Sequence, residues 1–159
     1  MDAASFLTYV LALLLGVVAG LRALTAPAMV SWAVHLGRLD LTGSWLAFFA
    51  HGWVRWLLTV LAIGELVTDQ LPTTPSRTVP VQFSARLVTG ALSGAAVGAA
   101  AGVPFGGALA GAVGAVIGTL GGSRMRARLA GTFHNDHPAA LVEDALAVGG
   151  AVLIGLVGR

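Results

Sequence analysis

The sequence predicts an all-α integral membrane protein that crosses the bilayer five or six times. Of its 159 residues, 57% are hydrophobic and only 10% are charged, whereas soluble domains contain about 25% charged residues. Apolar stretches long enough for a transmembrane helix recur along the chain. The third observation is a glycine series with a spacing of four residues, made of Gly90, Gly94, Gly98, Gly102 and Gly106 and resumed at Gly114, Gly118 and Gly122. Such spacing makes flat helix faces that pack closely in lipid, so we expect one membrane domain over residues 1–159.

The first half of the chain contains a long helix, a break and a second long helix. The first helix is predicted over 6–24, and Pro27 should interrupt it, because proline prevents helix continuation. The apolar piece 27–36 is too short to cross alone at about 1.5 Å per residue. Tryptophans flank residues 37–52, which places this segment at a membrane interface. The next span is predicted over 53–71, before Pro72.

The second half begins with a proline-rich loop at 72–83. Two spans follow, at 84–102 and 105–122, then a polar, arginine-rich connector at 123–137 and a last span at 138–158. The arginines flanking two loops on one side of these spans are Arg77, Arg86, Arg124, Arg126 and Arg128. The positive-inside rule makes that side cytoplasmic.

The number of spans depends on how the short piece 27–36 is counted. If it crosses, there are six helices with the N-terminus outside; if it continues the first helix, there are five with the N-terminus inside. Asp2 and Arg22 favour six. Glu65 and Glu143 lie 78 positions apart, which raises the hypothesis of an inverted repeat of halves 1–78 and 79–159, a common transporter design.

Charged residues inside apolar segments are the candidate site, because a charge near the bilayer centre costs roughly 3 kcal/mol. Glu65 and Asp69 lie one helical turn apart and share a helix face. The predicted ion- or solute-binding residues are Glu65, Asp69, Glu143, Arg22, Arg86, Asp144 and Arg77. The alternative is that these charges form internal ion pairs that fix helix packing. For Arg22, Arg86 and Asp144, a side chain that extends to the interface is a further alternative.

Several function classes find no support in the sequence. The chain has no cysteine, which excludes disulfides and Cys-ligated metal sites. The run His134-Asn135-Asp136-His137 is a short loop whose adjacent side chains cannot readily converge on one ion, so no metal site is predicted. Walker and nucleophile-elbow motifs are missing, and we expect no enzyme activity and no cofactor. The arginines form no basic stripe for nucleic acid.

Three stretches resemble a family of small bacterial integral membrane proteins catalogued as domain of unknown function 4126. They are residues 20–27 (GLRALTAP), residues 64–69 (GELVTD) with the following Pro72, Pro75, Ser76 and Arg77, and residues 142–144 (VED). The resemblance implies a bacterial multi-pass protein of the inner membrane and no particular activity.

Three functions are open at this point. The leading expectation is transport or permeation of an ion or small polar solute, with Glu65 as the central carboxylate. The alternative is a structural or assembly protein that transports nothing, and a third is a membrane enzyme that acts on lipid headgroups. We also expect a homo-oligomer, since the glycine faces exceed the need of one five-helix bundle. Part of 90–122 should then lie at the interface between copies or against the first helix at Gly16 and Gly20.

Overall fold

The computed structural model describes residues 2–68, 79–133, 145 and 147–150, and all regular structure in these residues is helical. The helices are α1 (Ala3–Leu21), α2 (Thr25–His35), α3 (Gly52–Thr68), α4 (Pro80–Ala100) and α5 (Pro104–Phe133), with a short 3-10 turn at Ala47–Ala50. Three segments are long and apolar enough to span a membrane: Ala3–Leu21, Pro80–Ala100 and Pro104–Met125. The prediction of an all-α fold compatible with a membrane is confirmed. A count of five or six spans is not confirmed, because α2 and α3 are shorter than these three segments and most of 138–158 lies outside the described residues.

Glycines hold α1, α4 and α5 together. Gly111 of α5 is in backbone contact with Gly16 of α1 and with Gly90 and Gly94 of α4, so a Cβ at any of these positions would overlap a neighbouring backbone. Gly118 of α5 also contacts α1, further along both helices. Without side chains at these positions, the three backbones approach closely, as small residues allow in membrane proteins. Of the two expected positions for the glycine series, the described residues show the contact with the first helix at Gly16 and Gly20.

The order of these contacts gives the helix directions. Gly16 lies at Gly111 and Gly20 lies at Gly118, so α1 and α5 are parallel. Gly98 lies at Gly107, whereas the earlier Gly90 lies at the later Gly111, so α4 and α5 are antiparallel. In the described part of the chain these glycine faces are therefore used within one molecule, and they no longer argue for contact between copies.

The predicted junction between the two glycine-rich spans is close to the observed one. Ala101, Gly102 and Val103 join α4 to α5, and Gly102 has a positive φ of 75°, which glycine adopts without strain. The predicted polar connector at 123–137 is wrong in its first part, since α5 continues to Phe133. Arginine, methionine and alanine are good helix formers and no proline interrupts 123–133, so the helix continues past its apolar part.

The break in the first helix lies at residues 22–24, three residues before the predicted interruption. Helix α1 ends at Leu21, and Pro27 is the third residue of α2. In the first turn of a helix the missing N–H of proline removes no helical hydrogen bond, so Pro27 helps begin α2. Helix α2 runs antiparallel to α3, because Trp32 Nε1 donates to Thr59 Oγ1 at 3.0 Å while residues 23 and 24 lie near the other end of α3.

Turns and the 3-10 helix follow α2, as expected for an interfacial segment. Trp45 and Trp53 are exposed. Thr42 donates its backbone N–H to the Asp40 carboxylate at 2.9 Å, and hydrogen bonding by Thr42 lowers the pKa of Asp40 below its ordinary value. An open cavity of about 500 Å³ lies beside this turn, lined mainly by apolar residues with Asp40 and Thr42.

Candidate functional site

The break between α1 and α2 creates backbone groups that need partners. The last C=O groups of a helix have no partners within the helix, and neither do its first N–H groups. Arg22 N–H completes α1 by donating to Val18 O at 2.8 Å. In lipid no water can bond to the remaining groups, and each unsatisfied one costs several kcal/mol.

Glu65 of α3 satisfies the start of α2. Ala23 N–H donates to one carboxylate oxygen of Glu65 at 2.7 Å, and Leu24 N–H donates to the other at 2.8 Å. The Glu65 side chain is 11% exposed. A carboxylate at this position also interacts favourably with the positive end of the α2 dipole. Glu65 therefore binds the N-cap residue Leu24 and the residue before it, so a side chain from another helix holds the chain where α2 begins.

Arg86 of α4 satisfies the end of α1. Its Nη1 donates to Leu21 O at 2.6 Å and to Gly20 O at 3.1 Å, and its side chain is 1% exposed. Its Nη2 lies 3.7 Å from Glu65 Oε1, which is an ion pair. The guanidinium thus stabilises the negative end of the α1 dipole and the Glu65 carboxylate together.

A fifth helix contributes to the same place. Thr119 of α5 is buried and donates its hydroxyl to Gly20 O at 3.2 Å. Arg22, within the break itself, is fully buried. We call the set of Arg22, Ala23, Leu24, Glu65, Arg86 and Thr119 the break site. All five described helices meet here through hydrogen bonds or an ion pair.

Three of the seven predicted site residues lie in the break site: Glu65, Arg86 and Arg22. The alternative in which Arg86 and Arg22 extend to the interface is wrong, because both side chains are buried. The alternative of an internal ion pair is the one observed for Glu65 and Arg86. The other four predicted residues, Asp69, Arg77, Glu143 and Asp144, lie outside the described residues.

Sequence reasoning missed the backbone amides at Ala23 and Leu24 and the hydroxyl of Thr119. A signal for the amides was present: a break inside an apolar helix requires partners for the freed groups, and Glu65 is one of few acids available. Thr119 had no such signal, because a threonine within a glycine-rich helix usually bonds its own backbone.

The carboxylate of Glu65 and the Nη atoms of Arg86 already have partners within the protein, whereas the Thr25 hydroxyl beside them is buried without a hydrogen bond. Both carboxylate oxygens of Glu65 accept backbone hydrogen bonds, and Arg86 binds two carbonyls and the carboxylate. Among the residues the structure describes, no group of three His, Asp or Glu side chains could hold a metal ion. The histidine run 134–137 lies outside those residues.

Comparisons with protein-family models, with curated proteins and with solved structures find no match for this chain. The resemblance to the family of unknown function therefore stays a prediction. What can be inferred about function depends on the geometry of the break site.

Proposed function

We propose that the protein is a structural component of the bacterial inner membrane, in which Glu65 and Arg86 stabilise a broken helix and transport no solute. One observation supports this proposal above all: the charged groups of Glu65 and Arg86 bind the backbone ends of α1 and α2 and each other. A solute that replaced these partners of Glu65 would have to displace two backbone amides and the Arg86 guanidinium. Charged side chains with such partners hold the helices in fixed positions relative to one another.

The proposal predicts a large loss of stability when one charge is removed. Glu65→Gln leaves Arg86 buried without its counter-ion and puts an amide NH₂ opposite a backbone N–H. Breaking a buried pair in this way costs about 3 kcal/mol or more. We expect a clearly lower midpoint of thermal unfolding in detergent, measured by the loss of monodisperse protein. The matched control is Asp40→Asn, which removes an exposed carboxylate and should change the free energy of unfolding by about 0.5 kcal/mol or less.

The double variant Glu65→Gln/Arg86→Gln completes the test. If the two groups act on each other, the loss in the double variant is smaller than the sum of the two single losses. Glu65→Gln as stable as the parent would contradict a structural role for the pair.

Transport of an ion or small polar solute is the second candidate, and one observation favours it. Transporters often build their sites at discontinuous membrane helices, where freed backbone groups meet charged side chains, and Glu65 lies at such a break. In this case Glu65 would have to leave the amides of Ala23 and Leu24 during each cycle.

Reconstituted vesicles separate the two candidates. Parent protein and Glu65→Gln are compared at a temperature where both are folded, with a pH-sensitive dye inside and an imposed pH or solute gradient. Flux through the parent that disappears in Glu65→Gln supports transport. Equal leakage from empty vesicles and from vesicles with the parent supports the structural role.

We further propose six membrane crossings with the N-terminus outside. The α4–α5 turn is on the outer side if the arginines of α5 are cytoplasmic, and α1 runs parallel to α5. Helix α1 then begins outside, and α2 returns as a short second crossing. Helix α3, with 17 residues, is the third, and its exposed Trp56, Val60 and Ile63 suit contact with lipid. A homo-oligomer remains part of the proposal and would use such apolar surfaces.

A further inference from the structure

An open, cationic cavity lies beside the C-terminal part of α5. Its volume is about 390 Å³, and the described residues that line it are Gly121, Arg124, Met125 and Arg128. Arg124 and Arg128 lie one helical turn apart, so they share a face of α5, and both are exposed. Neither α4 nor α5 contains an acidic residue. The described lining therefore offers two guanidinium groups to an anion, and Arg128 also has an interaction within the chain.

Gly121 supplies the space in this cavity. A Cβ built at Gly121 meets no atom within 4 Å, unlike the glycines that pack α5 against α1 and α4. The glycine thus faces away from the bundle, and the two guanidinium groups follow it along the helix. A larger residue at position 121 would fill the volume in front of them.

An apolar face leads directly into the cavity. Leu109, Val113 and Ile117 are exposed and lie four residues apart, and Gly121 is the next position in the same row. The apolar span of α5 ends at Met125, in the cavity itself. A ligand that fits this row has apolar chains beside Leu109 to Ile117 and a negative headgroup at Arg124.

We propose that this end of α5 binds an anionic phospholipid, with the headgroup phosphate at Arg124 and Arg128 and the acyl chains along Leu109, Val113 and Ile117. The site is separate from the break site, so the proposal does not depend on what Glu65 does. Basic residues next to the cytoplasmic end of a span favour anionic lipids. The adjoining apolar row favours a lipid over free phosphate, because free phosphate has no apolar group to pack against that row.

The test is lipid binding to the purified full-length protein in detergent, followed by native mass spectrometry. Phosphatidylglycerol is compared with phosphatidylcholine and with inorganic phosphate. We expect phosphatidylglycerol to bind at least tenfold more tightly than phosphatidylcholine. Arg124→Gln/Arg128→Gln should lose about thirtyfold in affinity, the factor expected for two arginines near an anionic surface, and higher salt should reduce binding to the parent protein.

Three variants complete the design. Arg124→Lys/Arg128→Lys keeps the charge and should retain most of the binding. Gly121→Leu keeps both arginines, fills the cavity and should weaken binding at least tenfold. Arg38→Gln is the matched control for Arg124→Gln alone. It removes one arginine from the loop after α2, a helix that packs on α1, α3 and α4, and it should leave binding unchanged.

The proposal is overturned by any of three results. These are equal binding by the parent and Arg124→Gln/Arg128→Gln, an equal loss in Arg38→Gln, or inorganic phosphate that competes as well as phosphatidylglycerol. If the double glutamine variant does not fold, Arg124→Gln alone and Gly121→Leu decide between these results in the same assay.

Discussion

Arg86 and Glu65 each bind backbone groups at a helix end. This role usually belongs to a residue next to that helix end in sequence. Caps are normally local, with a Ser or Asp just before a helix, as Asp2 is for α1, where it accepts from Ser5 N–H. At the break site the caps come from distant helices, 65 and 41 residues away in sequence. A local cap stabilises one helix, whereas these caps also fix α3 and α4 against α1 and α2.

A lysine at position 86 should not bind the helix ends as Arg86 does. An ammonium is a single point of charge, while the guanidinium reaches two carbonyls and a carboxylate at once. We expect Arg86→Lys to lower the free energy of unfolding by about 2 kcal/mol, the value of a hydrogen bond to a charged group. Thermal unfolding in detergent measures this change, with Arg38→Lys as the control. A variant as stable as the parent would show that charge alone is sufficient.

Helix α5 is central among the described elements because two of its faces are made of glycine. Gly107 and Gly111 pack on α4, while Gly114 and Gly118 pack on α1. A third face, beside Gly121, is open. Helix α5 therefore contains two kinds of glycine. Most permit close contact with a neighbouring helix, whereas Gly121 leaves open space beside the helix.

The same substitution at two positions of α5 should separate these kinds. Gly114→Ala places a methyl group into the backbone of α1 near Leu13 and Val17, and overpacking of this kind costs about 1–3 kcal/mol. Gly121→Ala meets nothing within 4 Å and should be neutral or stabilising, because alanine is the better helix former by about 1 kcal/mol. Equal thermal midpoints for the two variants would mean that α1 and α5 are not in close contact.

Much of this element-level description could be predicted, and the remainder depended on tertiary contacts. The glycine spacing indicated close helix packing, but a spacing identifies a face and not its partner, so the contact of Gly111 with both α1 and α4 was not foreseen. Pro27 indicated a break but not its position, since proline is accepted in the first turn of the next helix. Arg86 seemed interfacial because it lies near the start of α4, and only the break in α1 explains its burial.

At the scale of the whole molecule, the helix directions make the topology testable. Helices α1 and α5 are parallel and α4 is antiparallel to both, so the start of α1 and the α4–α5 turn lie at one end of the bundle. Val79, just before α4, lies at the other end. The natural chain has no cysteine, so a single introduced cysteine reports its own side of the membrane.

We expect Ala3→Cys and Ala101→Cys to react with a membrane-impermeant maleimide added to intact cells, and Val79→Cys to react only after the cells are opened. This pattern follows from the parallel course of α1 and α5 together with the proposed cytoplasmic position of the arginines. Reaction of Ala3→Cys from the opposite side to Ala101→Cys would contradict the packing of α1 on α5. Reaction of Val79→Cys alone in intact cells would reverse the proposed orientation and keep the packing.

The position of α5 between α1 and α4 has a consequence for how the chain is made. Helix α1 is synthesised first, yet its glycine partner begins only at Pro104 and its arginine cap arrives with α4. At translation rates of roughly 5–20 residues per second, α1 waits several seconds in the membrane before either partner exists. Throughout that interval the carbonyls of Gly20 and Leu21 lack Arg86, so insertion of this protein should depend strongly on a membrane chaperone that retains α1 until α5 emerges from the ribosome.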